Sequence, residues 1–393
     1  MEKLRRLATE IAYAQSLAKL PPRQRSLVPF LYAASSLYKL VLSLRYFLYE
    51  VGFFQRHRLP VPVISVGNLT WGGNGKTPMV EFIALWLADC GISPLILSRG
   101  YGGGDEVNML RRRLFGTAIQ FGVGANRVAV ASQFIQKYGY ISSWHEELCL
   151  DRKKESYPDS KKVGVVVLDD AMQHWSLQRD LEIVMVNGLT LWGNLQLMPL
   201  GPLREPLTAL RRADVVVVHH ADLVSEDTLD DIKSIVRKVK ESVPVFFTRM
   251  DPSYLFDVRI INSKISLRAL HDAHVLCVSA IGSADSFVKQ VQKMGAVYVD
   301  RVDFSDHHIF DAEDIEMIRA RIRELESKFG LKPIVVVTEK DYDRDREILK
   351  QLYPFKVFVL CSKLKVVPCC NSSEESFKRF LRDQLKFKFL AAN

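Results

Sequence analysis

The stretch Val61–Pro78 constrains this chain more than any other. An apolar run, VPVISV, passes through Gly67 into the turn NLTWGGNGKTP, and a mostly apolar, helix-compatible segment, Pro78–Cys90, follows. Strand, tight turn and helix in immediate succession open a βα unit, and such units build parallel sheets. The turn has the chemistry of a phosphate-binding loop. Backbone N–H groups freed at Gly72, Gly73 and Gly75 can surround phosphate oxygens, and the helix N-terminus adds positive potential. Lys76 is spaced to reach the β/γ-phosphates and Thr77 to ligate Mg²⁺. In the pattern G-x-x-x-x-G-K-[ST] the first glycine would fall at position 70, where this chain has Thr70. The plain alternative is a strand-to-helix turn carrying a surface lysine.

The pattern that begins here continues. Apolar β-rich runs at Val61–Val66, Pro94–Leu97, Val163–Leu168, Leu181–Val186 and Val215–Val218 alternate with helical stretches such as Arg127–Tyr138. This is the signature of an α/β fold with a parallel sheet covered by helices. Four more such strands, at His274–Val278, Ala296–Asp300, Pro333–Val337 and Lys356–Leu360, form a second block. The expected organisation is a basic segment with an amphipathic helix over 1–52, a P-loop domain over 53–245, a linker over 246–262 and a smaller α/β domain over 263–393. Residues 139–162, polar and aperiodic, read as a surface insertion.

Charge singles out the N-terminus. Ten Lys/Arg face three Glu over residues 1–60, which accounts for +7 of the net +9. No aromatic-basic platform accompanies them, so nucleic acid is not the expected partner; an anionic membrane surface is. Leu27–Glu50 is apolar, but Lys39 and Arg45 interrupt it before a spanning length of about 20 residues is reached. A helix here would lie in the membrane interface with its cations reaching outward, or would pack into a core. The six cysteines show no C-x-x-C and no paired metal spacing, which favours a reducing compartment.

Other stretches carry chemistry. Val163–His174, VGVVVLDDAMQH, is a buried strand ending in Asp169 and Asp170, either of which can hold Mg²⁺ at the sheet edge where the phosphate loop also lies. His174 reads equally as a structural histidine. SRGYGGGDEV ends in Asp105-Glu106, MPLGPLREPL holds Arg204-Glu205 between prolines, and DFSDHHIF sets Asp306, His307 and His308 before a helix. Together they supply a base, a group to orient it, and cations to balance a transferring phosphoryl. Thr338–Asp341, TEKD, is close to a guanine-reading [NT]-K-x-D, but Lys340 stands one place too late for a GTPase.

These stretches, in this order, resemble the tetraacyldisaccharide 4′-kinase family of the lipid A pathway. The matching pieces are PVPVISVGNLTWGGNGKTP, SRGYGG, GDE, DDAMQHWSLQRDLEIV, GPLREPL, SDHH and VVTEKD. The resemblance implies ATP- and Mg²⁺-dependent phosphorylation of the 4′-hydroxyl of a tetraacyl glucosamine disaccharide 1-phosphate. It implies a two-domain P-loop protein held on the membrane by its N-terminal helix, with no protein partner evident. Residue by residue, it implies nucleotide binding by Thr70, Trp71, Gly72, Gly73, Asn74, Gly75, Lys76 and Thr77, and metal binding by Thr77, Asp169 and Asp170. Asp105 would be the base with His307 as its partner from the second domain, and Arg204 and Glu205 would lie near metal and phosphates. The short spacer before GDE is similar to plant-type members, which places the chain at a mitochondrial inner membrane; the alternative is the cytoplasmic face of a bacterial inner membrane.

Two positions depart from the family pattern. Ala171 and Leu195 stand where its members carry glycine, and a left-handed backbone at either would cost on the order of 1 kcal/mol. They motivate the alternative of a non-catalytic or altered-specificity descendant that binds lipid or nucleotide.

Overall fold

The computed structural model describes residues 2–14, 16–100, 104–141, 161–369 and 373–391. Most of the expected insertion 139–162 lies outside these, as do Tyr101–Gly103 of the SRGYGG stretch.

The chain opens with helices α1 (Glu2–Ala12), α2 (Pro22–Arg25) and α3 (Val28–Glu50). Next come β1 (Val63–Asn68), α4 (Lys76–Asp89), β2 (Pro94–Ser98), α5 (Asp105–Arg113), β3 (Gln120–Val123), α6 (Arg127–Tyr138), β4 (Val165–Asp169), β5 (Leu181–Asn187) and β6 (Val215–His219). They are followed by α7 (Glu226–Val239), β7 (Val245–Asp257), β8 (Ile260–Ile265), β9 (His274–Ser279), α8 (Ala284–Lys293), β10 (Tyr298–Asp303) and α9 (Ala312–Phe329). The last elements are β11 (Ile334–Thr338), α10 (Glu339–Arg344), α11 (Arg346–Lys350), β12 (Val357–Val366) and α12 (Glu374–Ala391).

Two compact units result. The first takes residues up to Gly100, Leu114–Arg249 and the chain from Val366 onward. Its strands lie in the order β3-β2-β4-β1-β5-β6-β7, each pair parallel. β1 and β4 are fully buried, as a strand covered on both faces must be, and their valines and isoleucines leave no polar alternation. Val66 pairs with Asp169, so the turn after β1 and the acids after β4 leave the sheet at the same carboxyl edge. α12 closes this unit, its Phe377 wholly buried against Phe246 and Phe82.

The second unit takes α5 and Met250–Lys365. β10, β9, β11 and β12 are parallel neighbours, and β8 pairs antiparallel with the far end of β7. The expected linker 246–262 is therefore itself strand, shared between the end of β7 and the start of β8. Two points differ from the sequence expectation. α12 falls in the first unit and not in the smaller domain. α5 falls in the second, because Arg112 binds Asp343 and Glu339 and Arg113 binds Glu339 through buried ion pairs of 2.6–2.8 Å.

Candidate active site

In the first unit the phosphate loop is built by its own polar groups. Asn68 Nδ2 donates to the Thr70 carbonyl at 2.5 Å, Thr70 Oγ1 to Asn74 Oδ1 at 3.2 Å, and Asn74 Nδ2 to the Gly72 carbonyl at 2.9 Å. Thr70 is thus a member of the loop's internal network, in place of the glycine the general pattern would put there. Asn187, from the end of β5, donates to the Gly73 carbonyl at 2.8 Å. Gly75 caps α4 at φ 78°, where the buried His219 ring would stand 2.5 Å from any Cβ. Both the left-handed backbone and that contact require glycine. Lys76 and Thr77 then begin α4.

The acids meet this loop as expected, with one division of labour. Asp170, at φ 49°, accepts from Arg204 Nη1 at 2.7 Å and 3.0 Å, and Lys76 Nζ stands 3.7 Å from its Oδ1. Burial opposes its ionisation, but Lys76 and Arg204 outweigh that and hold its pKa at about 2. Asp169 is buried, and its carbonyl accepts from the buried Arg127 guanidinium at 2.6 Å. Arg127, absent from the sequence reading, also donates to the Asp170 carbonyl and so fixes this corner through main-chain atoms. Among the described residues no three His, Cys, Asp or Glu gather as a self-sufficient metal cage. The hydroxyl of Thr77 with one or two carboxylates is instead the hard-oxygen set that suits Mg²⁺ carried in with a nucleotide.

Other expected residues have structural partners. Glu205 is buried and paired with Arg212 at 2.7 Å, turned to a different partner from its neighbour Arg204. His174 contacts Ser176 Oγ at 3.0 Å, and burial together with Arg127 and Arg179 brings its pKa down to about 4, so it is neutral at pH 7. Ala171 is buried and is not among the residues with positive φ; Asp170 takes the left-handed turn instead. Ala171 therefore carries no left-handed strain. Leu195, by contrast, sits at φ 64° and is 54% exposed, so strain there is real and no buried contact repays it.

α3 lies along this loop region. Ser35 Oγ donates to the Leu197 carbonyl at 2.9 Å and accepts from Leu200 N at 3.0 Å. Tyr38 donates to the Arg204 carbonyl at 2.8 Å, Arg45 to the Gln173 carbonyl at 2.9 Å, and Tyr46 packs edge-on against Trp175. The helix therefore runs along the unit for three turns and does not project from it. Phe30, Leu37, Leu40, Val41, Leu44 and Phe47, on its other sides, are more than half exposed. By length and composition alone, Pro22–Glu50 is long and apolar enough to cross a membrane.

In the second unit Asp105 and His307 meet. His307 Nδ1 is 3.1 Å from Asp105 Oδ2, and that oxygen also accepts from Arg344 Nη2 at 2.8 Å. Asp105 Oδ1 accepts from Glu106 N. Burial works against the charged carboxylate, but His307, Lys340 and Arg344 overcome it and hold the pKa at about 2. The Asp105 side chain is fully buried while that of His307 is 30% exposed and its backbone is left-handed at φ 62°. Lys340 lies 3.2 Å from Glu106, 3.3 Å from Asp306 and 3.4 Å from His307 Nε2. The TEKD stretch is thereby accounted for without a guanine: Thr338 caps α10, Asp341 accepts from Ala280 N, and Lys340 joins this network. His308 binds Asp314 of the α9 cap at 2.7 Å and is structural. Arg344 was not visible as a site residue in the sequence, since nothing local marks it.

The sequence model of the tetraacyldisaccharide-1-P 4′-kinase family matches residues 27–386. A protein of Arabidopsis thaliana named "Probable tetraacyldisaccharide 4'-kinase, mitochondrial" is 55% identical over 395 residues, covering 100% of both chains. The tetraacyldisaccharide 4′-kinase of Syntrophus aciditrophicus is 30% identical over 93% of this chain and 96% of its own. Among solved structures, that of LpxK from Aquifex aeolicus in complex with ATP aligns with a TM-score of 0.58 at 25% identity, covering 92% of this chain and 98% of that one.

Proposed function

The chain belongs to the tetraacyldisaccharide-1-P 4′-kinase family, and on that premise we propose that it transfers the γ-phosphoryl of ATP to the 4′-hydroxyl of a tetraacyl glucosamine disaccharide 1-phosphate. It is a kinase acting on a hydroxyl, in lipid A biosynthesis. The observation that carries the site assignment is the clamp on Asp170: Lys76, opening α4 after left-handed Gly75, and Arg204 converge on one carboxylate beside the phosphate loop.

The roles follow from the chemistry. Thr70–Thr77 enclose the nucleotide phosphates, and Lys76 balances charge on the β/γ-phosphates. Thr77 and Asp169 would hold Mg²⁺, with phosphate oxygens and water completing its shell; bound there, it offsets charge on the transferring phosphoryl. Asp170 fixes Lys76 and Arg204 in place. In the transfer, the 4′-oxygen forms a bond to the γ-phosphorus, the bond to the bridging oxygen breaks, and ADP leaves. The hydroxyl proton passes to the Asp105–His307 pair. The Asp105 side chain is fully buried and that of His307 is 30% exposed, so proton transfer is assigned to His307 and its orientation to Asp105. This inverts the roles expected from resemblance. The acceptor is a membrane lipid, and α3 with its exposed apolar side chains is the proposed seat on a mitochondrial membrane surface.

The test is transfer of labelled γ-phosphate from ATP to tetraacyl disaccharide 1-phosphate in detergent micelles, with Lys76→Ala as control. Lipid-dependent transfer above the control is expected. Its absence would favour a binding protein descended from the kinase.

A further inference from the structure

The segment before residue 27 lies outside the family match, yet it is folded onto the phosphate loop. Ile11 and Ala12, at the end of α1, are buried, and Ile11 forms a small core with Leu20 and Leu200 to which Leu7, Leu17, Val28 and Leu31 add. The last carbonyls of α1 are not left to solvent. Asn194 N donates to the Ala12 carbonyl at 2.9 Å, and Asn194 Nδ2 to the Ile11 carbonyl at 3.1 Å and the Leu200 carbonyl at 2.9 Å. Gly193, at φ 57°, lets the helix end approach so closely that a Cβ there would stand 2.5 Å from the Ala12 oxygen. One residue further, Tyr13 donates from its hydroxyl to the carbonyl of Trp71, inside the phosphate loop, at 3.1 Å. Burial pushes the Tyr13 phenol up to about 12, so it stays a donor at any physiological pH.

The geometry points to Tyr13 as a positioning residue for the nucleotide: the end of α1 clasps the Gly193–Leu195 turn, and the Tyr13 hydroxyl fixes the Trp71 peptide whose neighbours receive the phosphates. The inference rests on the phosphate loop being the ATP site. A peptide plane in such a loop has two faces, and one held by its carbonyl presents the following N–H in a fixed direction. That N–H belongs to Gly72, at φ 95°, a residue with no backbone preference of its own to keep it there. The segment Leu7–Leu20 thus belongs to the catalytic unit, and the Arabidopsis relative that aligns end to end with this chain extends over it too. Cleavage of a targeting peptide downstream of Tyr13 would remove a working part of the site.

The test is equilibrium binding of a fluorescent ATP analogue with Mg²⁺ to the full chain, to Tyr13→Phe, and to Lys76→Ala as the non-binding control. Phenylalanine keeps the ring in its packing and removes the hydroxyl's hydrogen bonds to Trp71 and Thr190, so the melting temperature should stay within about 2 °C of the parent while affinity falls about three- to tenfold. In the transfer assay the same variant should raise KM for ATP by that factor and leave KM for lipid unchanged. Affinity equal to the parent in Tyr13→Phe overturns the inference and leaves the nucleotide site standing. Failure of the unsubstituted chain to bind the analogue overturns the nucleotide site, and the inference with it.

Discussion

Arg204 holds both carboxylate oxygens of Asp170 with one nitrogen, at 2.7 Å and 3.0 Å, while Lys76 approaches the same group at 3.7 Å. Two cations on one carboxylate leave net positive charge beside the phosphate loop, which is what an incoming triphosphate requires. Asp170→Asn keeps the shape and removes the charge that orders both cations. Transfer should fall on the order of 100-fold with the fold intact by circular dichroism. Unchanged transfer would remove Asp170 from the site.

Acid should loosen the protein through Asp105 and Asp170. Both carboxyls sit near pKa 2 when folded, against an ordinary 3.8. A depressed pKa adds stability that is complete above about pH 4 and is lost as pH falls toward 2, on the order of 2 kcal/mol for each group. Urea midpoints should therefore drop steeply below pH 4, and Asp105→Asn should show a shallower drop across the same window. Equal slopes would mean that the folded-state value of Asp105 is not depressed.

Leu195 is held at φ 64° with its side chain 54% exposed. Leu195→Gly relieves that backbone and removes no buried contact, so it should raise stability by about 0.5–1 kcal/mol by urea denaturation. Ala171→Gly is the matched control. Ala171 is buried and outside the left-handed region, so glycine there should lower stability by about 0.5–1 kcal/mol. The reverse order for the pair would refute the assignment of strain.

Arg344 is 4% exposed and ties Asp105 to the carbonyls of Ala280 and His308. Arg344→Gln should lower turnover about 10- to 100-fold while KM for ATP stays put, because it disturbs the Asp105–His307 pair and not the phosphate loop. Arg344→Lys, which keeps the charge and loses the fork, should recover part of the rate. A change in KM for ATP alone would contradict this division.

Leu40 and Leu44 are exposed on α3 at 64% and 56%. Replacing both by Glu should cut co-flotation with anionic vesicles at least tenfold and leave ATP binding unaltered. Co-flotation equal to the parent would argue that α3 is not the membrane seat.

What the sequence showed and what it hid divide by distance along the chain. The turn Asn68–Pro78 and the acids after β4 were legible because strand, glycine spacing and helix start are local patterns, and parallel strands deliver their carboxyl ends to one edge. The membership of α5 was not legible. It depends on Arg112, Arg113 and Asp105 finding Asp343, Glu339 and Arg344, more than 200 residues away. Tyr13 and Arg127 were missed because each acts by donating to a main-chain carbonyl, and any residue offers one. At Ala171 the condition under which alanine would be costly is not met, because the left-handed turn falls one position earlier. The left-handed residue is Asp170, and aspartate tolerates that conformation better than alanine does.

The hydrogen bonds that Ser35 and Tyr38 make to the Leu197–Arg204 loop give the helix α3 a second property. Because Tyr38 is fastened to the residue that grips Asp170, α3 cannot roll about its axis or slide along it without tugging the cation clamp. With α3 as the proposed membrane seat, the depth at which it lies would be geared to that cation clamp. A shift of α3 on that proposed seat would reach Arg204 through the Tyr38 hydrogen bond and alter the grip on Asp170.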